Sequence, residues 1–94
     1  MLSITRELLR YEMSEEIKKS EIILAEFSPR EATKITLEMI LALQKQQARA
    51  EKLMEIVEHD KCLKQSKEYE GLLSLLHALT DSLQICTLRH EREK

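Results

Sequence analysis

The sequence is nearly without glycine and proline, with one of each in 94 residues, and it contains no tryptophan. Sheet proteins need glycine and proline for their hairpins and tight turns, so an all-β fold is disfavoured. A chain of this length forms one domain with a modest core. The composition therefore predicts a single all-α domain over residues 1–94, with long helices and short connections.

Cysteine, net charge and long apolar runs are also scarce. Two cysteines, Cys62 and Cys86, do not make a disulfide framework, which favours a reducing, cytoplasmic compartment. The formal charge is −2, without the basic face expected of a nucleic-acid-binding protein. No apolar run approaches the roughly 18 residues of a membrane span, and no signal peptide is recognisable. We therefore expect a protein that neither spans a membrane nor binds nucleic acid.

The sequence does contain a long apolar stripe in its last third. Residues spaced alternately by four and three positions lie on one face of a helix. The residues with this spacing are Leu72, Leu76, Leu79, Leu83, Cys86 and His90. The stripe predicts a helix that the rest of the chain covers, because so apolar a face is unfavourable in water.

A first helix is predicted from Ser3 or Ile4 to Phe27. Its apolar stripe consists of Met13, Ile17, Ser20, Leu24 and Phe27. The segment Ser28-Pro29-Arg30-Glu31 then has the composition of a helix N-terminus, with serine as N-cap, proline in the first turn and glutamate at the third position. Thr33 offers a later start if residues 29–32 form a separate turn.

The second helix is expected to run to about Glu58. Its stripe consists of Ile40, Leu43, Gln47, Ala50, Met54 and Val57. Its apolar flanks consist of Leu37, Met39, Leu41, Leu53 and Ile56. Because the middle helix of a three-helix bundle has two neighbours, we expect most of these flanking residues to be buried.

The third helix has two candidate N-caps, Asp60 and Ser66. Gly71 lies inside its helical pattern, where glycine costs about 1 kcal/mol relative to alanine, so we expect another helix to approach closely there. Three helices with short connections predict an antiparallel up-down-up three-helix bundle.

A zinc site is the most specific chemistry that the residue types allow. His59 and Cys62, followed by Cys86 and His90, are the ligands of a two-cysteine, two-histidine site. If most of residues 62–86 form one helix, however, the two pairs are about 36 Å apart, at opposite ends of the bundle. We therefore expect no metal site.

Catalysis is also disfavoured. A nucleophile needs a base beside it and an oxyanion site that is usually built from loop backbone, and this chain has few loops. His77 lies at the edge of the apolar stripe, where a structural role fits better than that of a general base. The sequence therefore predicts no enzymatic activity and no cofactor.

The surface offers a different kind of site. Ile22, Ile23 and Met39 lie off or beside the core stripes, at the same end of the first and second helices, near Glu26 and Glu38. An exposed apolar patch with an acidic rim is typical of a protein-interaction site. The alternative is that the helices rotate to bury the patch.

The last helix resembles that of a known family. Thr80-Asp81-Ser82-Leu83 and Leu88-Arg89-His90-Glu91-Arg92 are spaced like the Asn-Asp-Asn-Leu and Leu-Arg-His-Glu-Arg motifs of the GAT domain in VHS-domain trafficking adaptors, in the target-of-Myb branch. Ser20-Glu21, Ala25-Glu26-Phe27 and Leu53-Met54-Glu55-Ile56 resemble the ends of the family's first two helices. The resemblance implies a three-helix domain cut from a larger adaptor protein.

GAT domains of this family bind ubiquitin, so the resemblance implies a non-enzymatic ubiquitin-binding module in endosomal and vesicular protein sorting. The family's main site lies at the end of helix one and the start of helix two. The corresponding residues here are Lys19, Ile23, Thr36, Met39 and Ala42. Together with the neighbouring Ile22, Glu26 and Glu38 they form what we call site 1. A second family site, on helix three, corresponds to Leu73 and Asp81, and we call it site 2.

Ubiquitin or ubiquitinated cargo is therefore the expected partner. In the GGA branch of the family an N-terminal extension also binds the small GTPase ARF, and residues 1–15 contain no convincing counterpart, so ARF binding stays open. The parent protein is expected to be cytoplasmic and peripheral at endosome or Golgi membranes, with the isolated domain monomeric. The alternative is a structural subunit that assembles with a protein partner through its apolar flanks.

Overall fold

The computed structural model describes the backbone of residues 2–93 and the side chains of residues 6–93. Four helices follow one another: α1 (Leu2–Glu26), α2 (Leu37–Val57), α3 (Lys61–Lys64) and α4 (Lys67–Arg92). No strand occurs among residues 2–93, so the prediction of an all-α helical bundle is confirmed. The molecule is elongated, 52 × 19 × 17 Å, because the three long helices lie side by side.

The core lies between α1, α2 and α4, each of which packs against the other two. On α4, Leu72, Leu79 and Cys86 are fully buried at seven-residue intervals, and Leu76 and Leu83 pack against the core while partly exposed. The fully buried residues of the other two long helices are Met13, Ser20, Leu43, Ala50 and Val57. All of them belong to the predicted stripes, and burial of each large apolar side chain contributes about 1.5–3 kcal/mol.

Polar contacts connect the ends of the helices. Arg6 Nε donates to Asp60 Oδ2 at 2.7 Å, which places the start of α1 beside the end of α2. Ile35 N–H donates to Glu93 Oε1 at 3.1 Å, which places the start of α2 beside the end of α4. An up-down-up order of the long helices requires this pairing of ends. We call the end of the bundle that contains Arg6, Arg10 and residues 58–68 the cap end. We call the opposite end, which contains residues 27–36 and 89–93, the loop end.

At the loop end, the predicted helix start at Ser28–Pro29 is wrong, and the alternative of a separate turn over residues 29–32 is correct, although the helix begins later than Thr33. Ser28–Ala32 form only a single turn, closed by the bond from Ala32 N–H to Ser28 O at 3.1 Å, and α2 begins at Leu37. Arg89 Nη1 donates to the carbonyl oxygens of both Pro29 and Ala32. Because a continuing helix would need these carbonyls for its own hydrogen bonds, the bonds from Arg89 favour the turn instead.

At the cap end, both candidate N-caps are used. Asp60 Oδ1 accepts a hydrogen bond from Cys62 N–H at 2.9 Å and caps the one-turn helix α3. Ser66 Oγ accepts one from Tyr69 N–H at 3.2 Å and caps α4. The two predicted alternatives are therefore two successive helix starts, which explains the fourth helix.

Gly71 lies where α4 meets α1. A Cβ atom at this position would lie 3.2 Å from Ile17 Cδ1, closer than ordinary van der Waals contact. The predicted close approach of another helix at Gly71 is confirmed.

Among the described residues, α4 is the one helix long enough and apolar enough to cross a membrane, with a mean hydropathy of 1.2 over an 18-residue stretch. Core helices of soluble bundles meet the same criterion. Its three fully buried residues belong to the bundle core.

Candidate functional site

The end of α1 carries the exposed part of site 1. Ile22 is 62% exposed, Glu26 is exposed, and Ile23 is half-buried because its helical phase is closer to the core residue Ser20. Ile22 lies about 200° around the helix from Ser20, so it points to solvent. The structure therefore presents one isoleucine fully and a second one partly at this end of the bundle.

The start of α2 contributes less apolar surface than expected. Met39 is only 7% exposed, so the alternative that the helices rotate to bury the patch holds for this residue. It is seven residues before Gln46 and fourteen before Leu53, both buried, and shares their α1-facing side of α2. Its backbone N–H donates to Thr36 Oγ1 at 3.2 Å, so Thr36 acts as the N-cap of α2.

The remaining site 1 residues are polar or small. Glu38 and Lys19 are exposed, and Lys19 Nζ lies 3.6 Å from Glu16 Oε2 on its own helix. Ala42 is half-buried, four residues before Gln46 and therefore on the side of α2 that faces α1. Site 1 thus combines exposed charged side chains with a small apolar surface, in which Ile22 is the largest exposed group.

The two residues of site 2 do not form one compact patch. Leu73 is half-buried against the core, whereas Asp81 is exposed. Eight positions along α4 separate them by about 12 Å. Asp81 lies instead beside the loop end, where it lines a cavity of about 230 Å³ together with Arg30.

Sequence reasoning missed a buried polar cluster between α1 and α2. Gln46 is 5% exposed, and its Nε2 donates to Ser20 Oγ at 3.1 Å and to Glu16 Oε1 at 2.9 Å. The signal was available, since a serine in a core stripe needs a hydrogen-bonding partner. Gln47, in the predicted stripe of α2, is half-buried and reaches α4, where its Nε2 donates to Thr80 Oγ1 at 2.8 Å.

Two of the flanking residues of α2 are buried and three are not. Met39 and Leu53 are core residues, whereas Leu37, Leu41 and Ile56 are at least half exposed. The prediction that most of the flanks are buried is therefore wrong for these three. A bundle of three helices leaves one side of each helix uncovered, and Leu37 and Leu41, one turn apart, lie on that side of α2.

The candidate zinc ligands are not brought together. Cys62 is exposed at the cap end, whereas His90 Nδ1 lies 3.4 Å from Ile35 O at the loop end. Among the described residues, no group of three histidine, cysteine or acidic side chains is placed to hold a metal ion. Cys86 is buried, and burial raises the pKa of its thiol, which keeps the sulfur protonated and unreactive.

Comparison with known proteins returns no match, since no protein-family model, no curated protein and no solved structure is significantly similar to this chain.

Proposed function

We propose that this chain is a non-enzymatic ubiquitin-binding module, which acts within a larger cytoplasmic sorting adaptor. The observation that carries the proposal is the exposure of Ile22, 62%, on a rigid helix next to the half-buried Ile23. Glu26, one turn after Ile22 on α1, is exposed, and Glu38 is exposed at the start of α2. The resemblance of residues 76–92 to GAT domains supports the same function.

The chemistry of this surface suits ubiquitin. Ubiquitin presents a shallow apolar patch centred on an isoleucine and ringed by basic residues, and an isoleucine flanked by acids complements both features. Such a contact is small, so we expect a dissociation constant of about 10 µM to 1 mM. Apolar anchors should dominate the affinity, whereas the acidic rim should contribute mainly to association rate and salt dependence.

The burial of Met39 changes how the proposal is tested. A charged residue at position 39 would disrupt the core, so loss of binding in such a variant would not report on the surface. Ile22→Asp changes an exposed side chain and should leave the bundle folded. Leu41→Asp is the matched control, since Leu41 is an aliphatic residue of similar exposure, 56%, on the surface of α2.

The experiment is an NMR titration of the labelled chain with ubiquitin up to about 1 mM, the weak end of the expected range. We expect shifts around Ile22, Ile23 and Glu38, a loss of affinity of about tenfold or more for Ile22→Asp, and little change for Leu41→Asp. Absence of shifts would contradict ubiquitin binding altogether. Shifts confined to Leu73 and Asp81 would move the binding surface to site 2.

A second candidate function is that of a structural subunit that assembles with a protein partner through its apolar flanks. The observation that favours it is the exposure of Leu37 and Leu41, 60% and 56%, one helical turn apart on α2. An oligomer that ignores ubiquitin and is dissociated by Leu41→Asp would support this function over the first.

A further inference from the structure

A groove between α1 and α2 begins at Lys19 of site 1 and extends toward the cap end, and Ile22 does not line it. Its volume is about 530 Å³, and it is formed by the middle of α1 and the second half of α2. Ile56, on the α2 side, lies about 180° around the helix from Gln47, whose side chain reaches α4. The groove therefore opens on the side of the α1–α2 pair that faces away from α4.

The two edges of the groove carry opposite charges. We call the residues on α1 the acidic edge, which consists of Glu12, Glu15, Glu16 and Lys19. We call those on α2 the basic edge, which consists of Arg49 and Lys52. Three glutamates and one lysine give the acidic edge a formal charge of −2, and the basic edge has +2.

Over residues 6–93 no ion pair joins the two edges, and the acidic edge is linked to α2 by the hydrogen bond that Glu16 accepts from Gln46. Glu15 pairs with Lys18 and Glu16 with Lys19, both within α1. Over residues 6–93, the ion pairs between different parts of the chain are those of Arg6 and Arg10 at the cap end, and none of them spans the groove. The basic edge thus has its full charge available for another molecule.

Apolar groups line the end of the groove that is nearer the cap end. Tyr11 is 62% exposed and Ile56 is 50% exposed, and the buried Leu53 also lines the groove. In a protein–protein contact, such apolar groups supply affinity and the charges beside them supply orientation.

We propose that this groove is the contact face of a homodimer whose two-fold axis runs parallel to the long helices. Rotation about such an axis places α1 of one chain opposite α2 of the other at the same height. Each acidic edge then faces a basic edge, and because the contact is isologous this attraction occurs twice. A two-fold axis across the helices would instead oppose edges of like charge, so the charges select one orientation.

The same arrangement brings Tyr11 and Ile56 of both chains together at the cap-side end of a four-helix contact. All neighbouring helices across the contact are antiparallel, as in ordinary four-helix bundles. The groove spans about 12 Å of each helix, so the interface is small and the association reversible, with a dissociation constant of about 10 µM to 1 mM. The proposal does not depend on ubiquitin binding.

The test is sedimentation velocity over about 10 µM to 1 mM of the full chain. We expect a concentration-dependent dimer that weakens as salt is raised. Two charge-reversed variants, E12K/E15K and R49E/K52E, should each associate at least about tenfold more weakly, because both edges of the contact then carry like charge. Glu16 and Lys19 are left unchanged because Glu16 binds Gln46 in the core.

Mixing the two variants gives the decisive result. In a mixed dimer, the basic α1 edge of E12K/E15K faces the acidic α2 edge of R49E/K52E. The basic α2 edge of E12K/E15K likewise faces the acidic α1 edge of R49E/K52E, so an equimolar mixture should dimerise again. The control is E51K/E55K, which makes the same charge change as E12K/E15K on exposed residues of α2 outside the groove and should associate like the unchanged chain. Circular dichroism checks that each variant is folded.

Two outcomes overturn the proposal. An unchanged chain that stays monomeric to about 1 mM means that the groove does not recognise itself, and leaves a separate amphipathic partner as its occupant. A dimer whose two charge-reversed variants are not restored by mixing means that another face makes the contact.

Discussion

The two ends of the bundle hold the helices together by different means. At the cap end, Asp60 and Ser66 bond to backbone N–H groups two or three residues further on, and the ion pairs of Arg6 and Arg10 are exposed. At the loop end, Arg89 and Glu93 bond to the backbone of a loop nearly sixty residues earlier. Exposed ion pairs contribute at most about 1 kcal/mol, whereas hydrogen bonds from a charged group to half-buried backbone contribute about 1.5–3. We therefore expect the loop end to depend on tertiary contacts and the cap end to depend on local ones.

A core substitution in the middle of α4 gives the loss of stability with which substitutions at the two ends are compared. Leu79 is fully buried and lies midway along the helix, so Leu79→Ala should lower the free energy of unfolding by about 2–5 kcal/mol. Leu83, also in the stripe, is partly exposed and is the less sensitive position. Urea unfolding followed by circular dichroism measures the effect. Hydrogen exchange should accelerate equally at the two ends, and a loss below about 0.5 kcal/mol would contradict the assignment of the core.

Arg89→Ala should act on the loop end alone. It removes both donors to the carbonyl groups of Pro29 and Ala32, with an expected loss of about 1.5–3 kcal/mol. Hydrogen exchange at residues 28–36 should accelerate, while that of residues 60–66 should not. Arg89→Lys keeps the charge without the guanidinium fork, so its stability should lie between that of the unchanged chain and that of Arg89→Ala. Equal acceleration of hydrogen exchange at both ends would contradict the expectation that Arg89 stabilises only the loop end.

Removal of an N-cap should lower the stability by the same amount at the two ends. Ser66→Ala and Thr36→Ala each remove one side-chain acceptor at the start of a long helix, with an expected loss of about 1 kcal/mol. The measurement is again urea unfolding, with Ser66→Thr as a control that retains a hydroxyl. A much larger cost for Thr36→Ala would mean that the local cap contributes to fixing the whole loop.

The smallest expected effect is a pH dependence of the cap end. The hydrogen bond from Arg6 lowers the pKa of Asp60, and a bond from its own backbone N–H, together with Arg10, lowers the pKa of Glu68. Because the folded-state pKa values lie below the ordinary ones, these carboxylates stabilise the fold at neutral pH, and the contribution is lost as the pH falls below about 4. Asp60→Asn keeps an N-cap but not the charge. Its difference in stability from the unchanged chain should shrink between about pH 5 and pH 3, and a constant difference would contradict this assignment.

Much of the fold was predictable because it is encoded locally. The stripes of α1, α2 and α4, the close approach at Gly71 and both caps at Asp60 and Ser66 follow from residues a few positions apart. The start of α2 was not predictable in this way. Ser28 and Pro29 satisfy the local rule for a helix N-terminus, but Arg89 donates hydrogen bonds to the carbonyl groups that a helix would use. A local pattern cannot reveal a donor that lies about sixty residues away.

The candidate site was predictable only in part for a related reason. Helical phase places Ile22 on the surface, since its angle to the core stripe is large. It does not decide the burial of Met39 or Leu37, which depends on how α2 is rotated against α1. That rotation is fixed in part by the bonds of Gln46 to Ser20 and Glu16, a pairing between helices that neither stripe contains by itself.

The contacts at the loop end also determine an order of folding. Residues 29–35 share hydrogen bonds with Arg89, His90 and Glu93 at the end of α4, across separations of 55–60 positions. Contacts between residues so distant in sequence form late, because closing the intervening chain costs entropy before the bonds are made. α1 and α2 can associate earlier through their own buried contacts, but the loop between them stays unfixed until α4 has docked along its full length. The segment that joins the two halves of the proposed ubiquitin site is therefore among the last parts of the molecule to become ordered.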